Sequence, residues 1–308
     1  MSEKSKRSGP IDAFIKRPRL NGVDGKNENA DESDKNPALA VADVPQSEWR
    51  VRVARYQHGT LKPPHRSNDG YINVLIHTRD PLSPYVMRDE HGCILENVWQ
   101  FAKFYRHVTT QRIAKHHMRP NDVVWQHPAE KHIETNDPLQ MTDAYWLWRQ
   151  KGMQNDYAVR YPNGFYGRKT VVGALWPVTD SASQNSATGD LRKTTTGPDG
   201  TVYEVLDYIT SRKKIYCGLY ARLVETDREF ARLTDLLRSG EKLQLWEVDG
   251  PDWRWPEEPF TALTKTQPGL DMHDIATVRR LLHDEKHPFG HGYTIAALLL
   301  HGNAWLDD

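Results

Sequence analysis

The stretch Leu95-Glu96-Asn97-Val98-Trp99-Gln100-Phe101-Ala102-Lys103-Phe104-Tyr105 constrains this chain more than any other. It has helical length and good helix formers. At about 100° per residue, Glu96, Gln100, Lys103 and His107 fall on one narrow stripe. Almost everything else on it is apolar: Val98, Trp99, Phe101, Ala102, Phe104 and Tyr105. A surface helix carries a wide polar face and a narrower apolar one, and here the proportions are inverted. The helix is therefore expected to be packed on most sides, with one thin polar line facing something. A Lys and a Glu held there cost free energy unless they are paired or used. Two readings stay open on the stripe alone: a structural pair bridged by Gln100, or a functional one.

With 308 residues the chain has room for one large domain or two small ones. Its 41 basic residues balance 41 acidic ones, so no global field draws in nucleic acid. The abundant Trp and Tyr suit a packed core first and ring-stacking pockets second. Cys93 and Cys217, far apart, argue against a disulfide framework and for a reducing compartment. No apolar run has the length of a membrane span and no signal peptide opens the chain, so a soluble intracellular protein is expected.

Residues 1 to about 46 have the composition of a disordered tail, basic at first and then acidic. Lys16-Arg17-Pro18-Arg19 reads as a nuclear-import patch or simply as solvated tail. The triplet Ile11, Phe14 and Ile15 resembles in spacing the peptides that dock on DNA sliding clamps, without their leading Gln and with Ile15 for an aromatic. Apolar residues in such a tail fit a peptide that folds on binding.

The folded part is expected from about residue 47. Trp49–Arg55 and Tyr71–Ile76 alternate like strands. Tyr85–Met87 and Cys93–Leu95 flank the turn Asp89-Glu90-His91-Gly92, a hairpin that delivers Glu96 to the head of the central helix. Met141–Gly152 reads as an amphipathic helix stopped by its glycine. Tyr157–Tyr161 and Val171–Trp176 read as strands, and 179–200 as a mobile loop. Arg160 suits either a phosphate or an inward structural role. His116, His117, His127 and His132 match no metal-ligand spacing, and no metal or cofactor is expected.

Further on, Ser211–Val224 reads as a helix with Ile215, Tyr216, Leu219, Tyr220 and Leu223 on its packed side. Thr226-Asp227-Arg228-Glu229 is a capping box for a second helix, ended by Ser239-Gly240. Leu243–Asp249 is a strand, with Gly250-Pro251-Asp252-Trp253 turning out of it. Met272–His283 and the apolar Tyr293–Leu300 are helices, and His291 stands where it and the helix start would meet a phosphate.

Leu82-Ser83-x-Tyr85, followed by Glu96-x3-Gln100-x2-Lys103-Phe104, resembles the opening signature of the NADAR superfamily, proteins tied to NAD and ADP-ribose metabolism. Pro84 replaces the family's Asn. Glu247, four residues, Asp252 and Trp253 resemble its second half, with Arg222-Leu223 for Lys-Phe, Ser239-Gly240 for Thr-Gly and no Gly after the Trp. The likeness covers roughly 70–105 and 208–302 and skips a segment at about 108–205 that reads as an insertion. It implies an α+β domain, mostly helical with a small sheet, from 47 to 308. It also implies N-glycosidic cleavage at a phosphate-bearing ribose, such as removal of ADP-ribose from a nucleobase.

The residues suit that chemistry. A Lys in apolar surroundings is a neutral amine nucleophile, so Lys103 would form a Schiff base with the opened sugar. Glu96 would move the proton, with Glu247 as a second acid. Gln100 and Asp252 would orient groups or bind ribose hydroxyls, and Trp99 or Trp253 would stack on the base. Ser83 and Tyr85 would line the substrate site. The expected partner is an ADP-ribose-containing nucleotide or nucleic acid. A non-catalytic reader of ADP-ribose, recruited to replication or repair machinery, is the alternative, and an ADP-ribose transferase is a third. No Gly-rich fingerprint supports a standard NAD-dependent oxidoreductase or an ATPase.

Overall fold

A computed structural model describes residues 43–56, 62–108, 123, 126–159, 170–178, 193–250 and 269–307. The tail motifs, His116, His117, Arg160, Asp252 and Trp253 lie outside the described residues. The chain from Val41 to Asp308 clusters as one compact unit.

The class is α+β. Two four-stranded sheets and a hairpin carry the strands, where one small sheet was expected. In the first sheet, β1 (Arg50–Arg55) and β2 (Tyr71–Leu75) flank β9 (Lys242–Glu247), both parallel to it. The short β10 (Leu270–Asp271) closes the far edge antiparallel to β1. Alternation places Val51, Val53, Leu243 and Leu245 on the core face. Because the three long strands are parallel, their carboxyl ends share one edge, with Glu247 at the end of the middle strand.

The second sheet is antiparallel, in the order β3 (Lys103–Tyr105), β6 (Val171–Pro177), β8 (Val202–Leu206), β7 (Thr194–Thr196). The segment that reads as an insertion thus builds most of a sheet, and β3 is an edge of it. β7 lies where a mobile loop was expected, and β8 went unpredicted. No strand forms over the described residues 157–159; their backbone is held instead by the Asn97 side chain, which accepts from Val159 N and donates to Tyr157 O. The hairpin pairs β4 (Ile133–Asn136) with β5 (Leu139–Met141).

Helix α1 (Leu95–Ala102) is buried at every position, as its inverted composition requires. It sits between two apolar clusters. Leu95, Val98, Trp99 and Ala102 join the core under the parallel sheet, and Phe101 joins a second core around Tyr145 and Trp148. The expected helix through Tyr105 stops early: Lys103 turns extended (φ −70°, ψ 152°) and begins β3. The buried Arg149 explains the stop, donating to the freed Phe101 carbonyl at 2.9 Å and to Leu175 O at 3.2 Å.

Arg149 lies on α2 (Asp143–Met153), capped by Thr142. Gly152 does not end α2 but lies inside it, pressed against the Phe101 ring. Next, α3 runs as Tyr208–Ser211, one π turn over Arg212–Cys217, and Gly218–Glu225. In α4 (Arg228–Arg238) the cap is Asp227 rather than Thr226, and Glu229 pairs with Arg232 instead of closing a box. Gly240, at φ 86°, ends it in a left-handed conformation that favours glycine. Helices α5 (Ile275–Leu282) and α6 (His291–His301) complete the fold, and α6 is buried from Gly292 to Leu300. No helix among the described residues is long and apolar enough to cross a membrane.

The close approach at Gly152 is testable. A Cβ there overlaps the Phe101 ring, so Gly152→Ala should destabilise by about 1–3 kcal/mol through overpacking. The exposed neighbour Lys151→Ala should stay within about 0.5 kcal/mol in the same urea titration.

Candidate functional site

Leu82 to Met87 folds as a tight turn on the head of α1. Pro84 O accepts from Glu96 N at 3.0 Å and Met87 O from Leu95 N at 2.9 Å. The expected hairpin reduces to the bridge Arg88↔Ile94 around the Asp89–Gly92 turn. Ser83 is buried, and its oxygens accept from Tyr85, Val86 and Met87 amides. It shapes the turn. Tyr85 is half-buried.

From Glu96 a line of hydrogen bonds runs inward. Gln100 Nε2 donates to Glu96 Oε1 at 2.7 Å, and Lys103 Nζ donates to Gln100 Oε1 at 2.9 Å. Glu96, Gln100 and Lys103 are all buried. The stripe holds this far even though Lys103 has left the helix, because the residue after Ala102 still projects along the same side. His107 does not join it. Beyond the helix end its side chain is 61% exposed, 3.7 Å from Glu130.

The Lys103 amine also lies 4.0 Å from the centre of the Trp99 ring. That ring contacts Tyr216 and Tyr208 too, at centroid distances of 5.6 and 6.1 Å, and Trp99 is buried. It is a floor under the amine, already covered, and not a free platform for a base. Burial pushes the Lys103 amine down to about 7; Arg212 adds to the effect, while Glu96 and Asp249 oppose it.

Three residues here carried no functional signal in the sequence. Tyr216 read only as a core position of α3. Its hydroxyl is pushed well above the usual range, first by burial and then by the charges of Glu96 and Glu247. Arg212, one π turn earlier, is buried and donates to Leu282 O at 2.7 Å and His287 O at 2.9 Å, tying α3 to the end of α5. The π turn sets where both side chains point, and no periodicity announces it. Asp249 is the third: among the described residues it is the loop acid after β9 whose charge acts on Lys103.

Glu247 is placed at the strand end, as expected, yet both its oxygens are occupied. Oε1 accepts from Val248 N at 2.8 Å and Asp249 N at 2.9 Å. Oε2 accepts from Gly292 N at 2.6 Å and lies 3.2 Å from His291 Nδ1. The carboxylate therefore fills the N-terminus of α6, where a phosphate was expected to meet His291. It holds the 247–250 loop, and with it Asp249, against the start of α6. The charge of Asp249, the residue that Glu247 holds, acts on the Lys103 amine, and that of Glu247 acts on Tyr216.

Elsewhere, His132 is a buried core residue inside the second cluster, its Nδ1 accepting from Tyr105 N at 3.2 Å. Among the described residues no group of three or more His, Cys, Asp or Glu side chains is arranged to hold a metal ion. A surface cavity of about 400 Å³ opens beside Ile209, Thr210, Lys213, Lys214, His283 and Leu306, but none of the site residues above lines it. Comparison with protein-family models, curated proteins and solved structures returned no match.

The depressed Lys103 value has a consequence for stability. Between about pH 7 and about 10 the unfolded chain holds a proton on this amine that the folded chain has released. Wild-type stability relative to Lys103→Met should therefore rise with pH across that window, by at most about 1.4 kcal/mol per pH unit. Taking the difference removes the opposite contribution of Cys217, whose thiol burial pushes up to about 12. Urea titrations of both proteins at pH 6, 8 and 9.5 measure it; a flat difference would mean an ordinary lysine.

Proposed function

We propose that this chain is a divergent NADAR-type N-glycosidase that cleaves the bond between a nucleotide-derived ribose and its base, such as the link between ADP-ribose and a nucleobase. The observation that carries the reading is the buried Lys103 amine, lowered to about 7 and hydrogen-bonded to Gln100, with Glu96 beyond. A nucleophilic lysine needs its amine neutral near pH 7, which this setting favours.

In this reading the neutral Lys103 nitrogen forms a bond to the anomeric carbon. The bond from that carbon to the base breaks, and its electron pair leaves on the base nitrogen. The proton shed by the new nitrogen–carbon bond goes to Glu96, the carboxylate with the strongest favourable effect on this amine. The ring oxygen then departs from the same carbon and takes a proton, leaving an imine. Water adds to the imine and releases Lys103. Gln100 fixes the amine through its carbonyl oxygen, and Trp99 stabilises the transient ammonium from below. Asp249 supplies negative charge that opposes Arg212 at the amine. Trp253 and Asp252, after β9, supply the base and ribose contacts.

Incubation with ADP-ribosylated DNA, free nucleotides and NAD in parallel, with borohydride present, tests the reading. A reduced sugar adduct should form and map to Lys103. Lys103→Ala should lose the adduct and about 10³-fold in turnover while keeping ligand affinity. The wild-type rate should climb as pH rises through about 7, following the neutral amine. Binding of ADP-ribose with no product from any substrate, lost in Lys103→Ala, would instead identify a reader.

A further inference from the structure

The surface cavity of about 400 Å³ shares no lining residue with the Lys103 site. One wall is the outward face of α3, where Ile209, Thr210, Lys213 and Lys214 stand. The π turn shapes that wall: Gly218 N donates to Lys213 O, and a Cβ at Gly218 would start 3.0 Å from the same oxygen. Gly218 therefore lines the cavity as bare backbone. The other wall comes from elsewhere in the chain, from His283, which caps the end of α5, and from Leu306, after α6.

The two walls are tied together from inside the molecule. Arg212, the residue before Lys213, is buried and donates to Leu282 O at 2.7 Å and to His287 O at 2.9 Å, on either side of His283 in the chain. The turn that sends Arg212 inward sends Lys213 and Lys214 outward to the cavity. The backbone segments that carry the lysines and His283 are thus held at a set separation, and a ligand meets a site already formed. Three of the lining side chains carry basic nitrogens, and no acid is among the described residues that line the cavity. Two acids stand close by without lining it: Glu204, on β8, accepts from Lys214, and Asp207 accepts from the amide and hydroxyl of Thr210 at 2.8 and 2.6 Å. Ile209, Leu306 and the lysine stems make the remaining surface apolar.

We propose that this cavity binds a small phosphorylated molecule, with its phosphate against Lys213, Lys214 and His283 and its apolar body against Ile209 and Leu306. The volume is that of a small-molecule site. Lysine binds phosphate as a point charge. A phosphate monoester carries close to two negative charges at neutral pH and so matches several basic groups at once, where a carboxylate brings a single charge. The assignment does not rest on the N-glycosidase reading, because none of the lining residues belongs to the Lys103 site.

Phenyl phosphate, which has no nucleotide character, is the probe, and benzoate is its singly charged counterpart. Calorimetric titration of the full chain with phenyl phosphate should show one saturable site of millimolar affinity or tighter, weakening as salt is added. Benzoate should bind at least about tenfold more weakly, and Lys213→Gln and His283→Gln should each weaken phenyl phosphate about tenfold with an unchanged Tm. Lys103→Ala should keep the wild-type affinity for phenyl phosphate, which places the site away from that amine. No saturable binding, or wild-type affinity in both Lys213→Gln and His283→Gln, overturns the assignment and leaves the Lys103 chemistry untouched. Benzoate binding as tightly as phenyl phosphate overturns the choice of phosphate.

Discussion

The structure turns on one buried amine. Lys103 sits in surroundings that disfavour its charge, and everything near it either compensates for that or exploits it. Gln100 accepts one of its hydrogen bonds, Trp99 lies beneath it, and Glu96 and Asp249 act from a distance against Arg212. The balance falls short of restoring an ordinary lysine. If the chain needed only an ion pair at this point, a direct contact between Lys103 and Glu96 would serve it better than one bridged by an amide.

Holding that amine takes two cores and not one. Helix α1 has no solvent face because the parallel sheet and its helices cover one side and described residues of the 108–205 segment, such as Tyr145, Trp148 and Leu175, cover the other. The same segment provides β6, which pairs with β3 and puts Lys103 opposite Ala174. Arg149 marks the junction, closing the helix end from α2. A segment that reads as an appendage in the sequence is therefore what aims the Lys103 side chain, and it could not be removed without unpairing β3.

The other half of the site depends on a strand end. Three parallel strands finish together, and the middle one hands its last side chain, Glu247, to the backbone of the loop that follows and to the head of α6. Gly290 and Gly292 permit that approach; any larger residue at Gly290 would push the helix off the carboxylate. Fixed in this way, the loop acid Asp249 and the ring of His291 become properties of the tertiary fold, although neither is far in sequence from a residue that read as functional.

Local pattern was enough to specify α1, β1, β2, β9, α2 and α6 and the polar line Glu96, Gln100, Lys103, because periodicity and side-chain chemistry act over a few residues. The α+β class was what the resemblance implied, and it is the class the chain adopts. Where α1 ends was decided from outside, by Arg149 on a distant helix, and that moved His107 off the line. The Glu247 carboxylate is likewise held by amides both near and far, those of Val248 and Asp249 beside it and that of Gly292 from 45 residues away. Tyr216 and Arg212 owe their directions to a π turn, which is a packing compromise and has no period to read. The sequence by itself determined which groups are able to do chemistry; burial, which sets the charge on Lys103, and the long-range contacts, which choose its neighbours, exist only once the chain has closed.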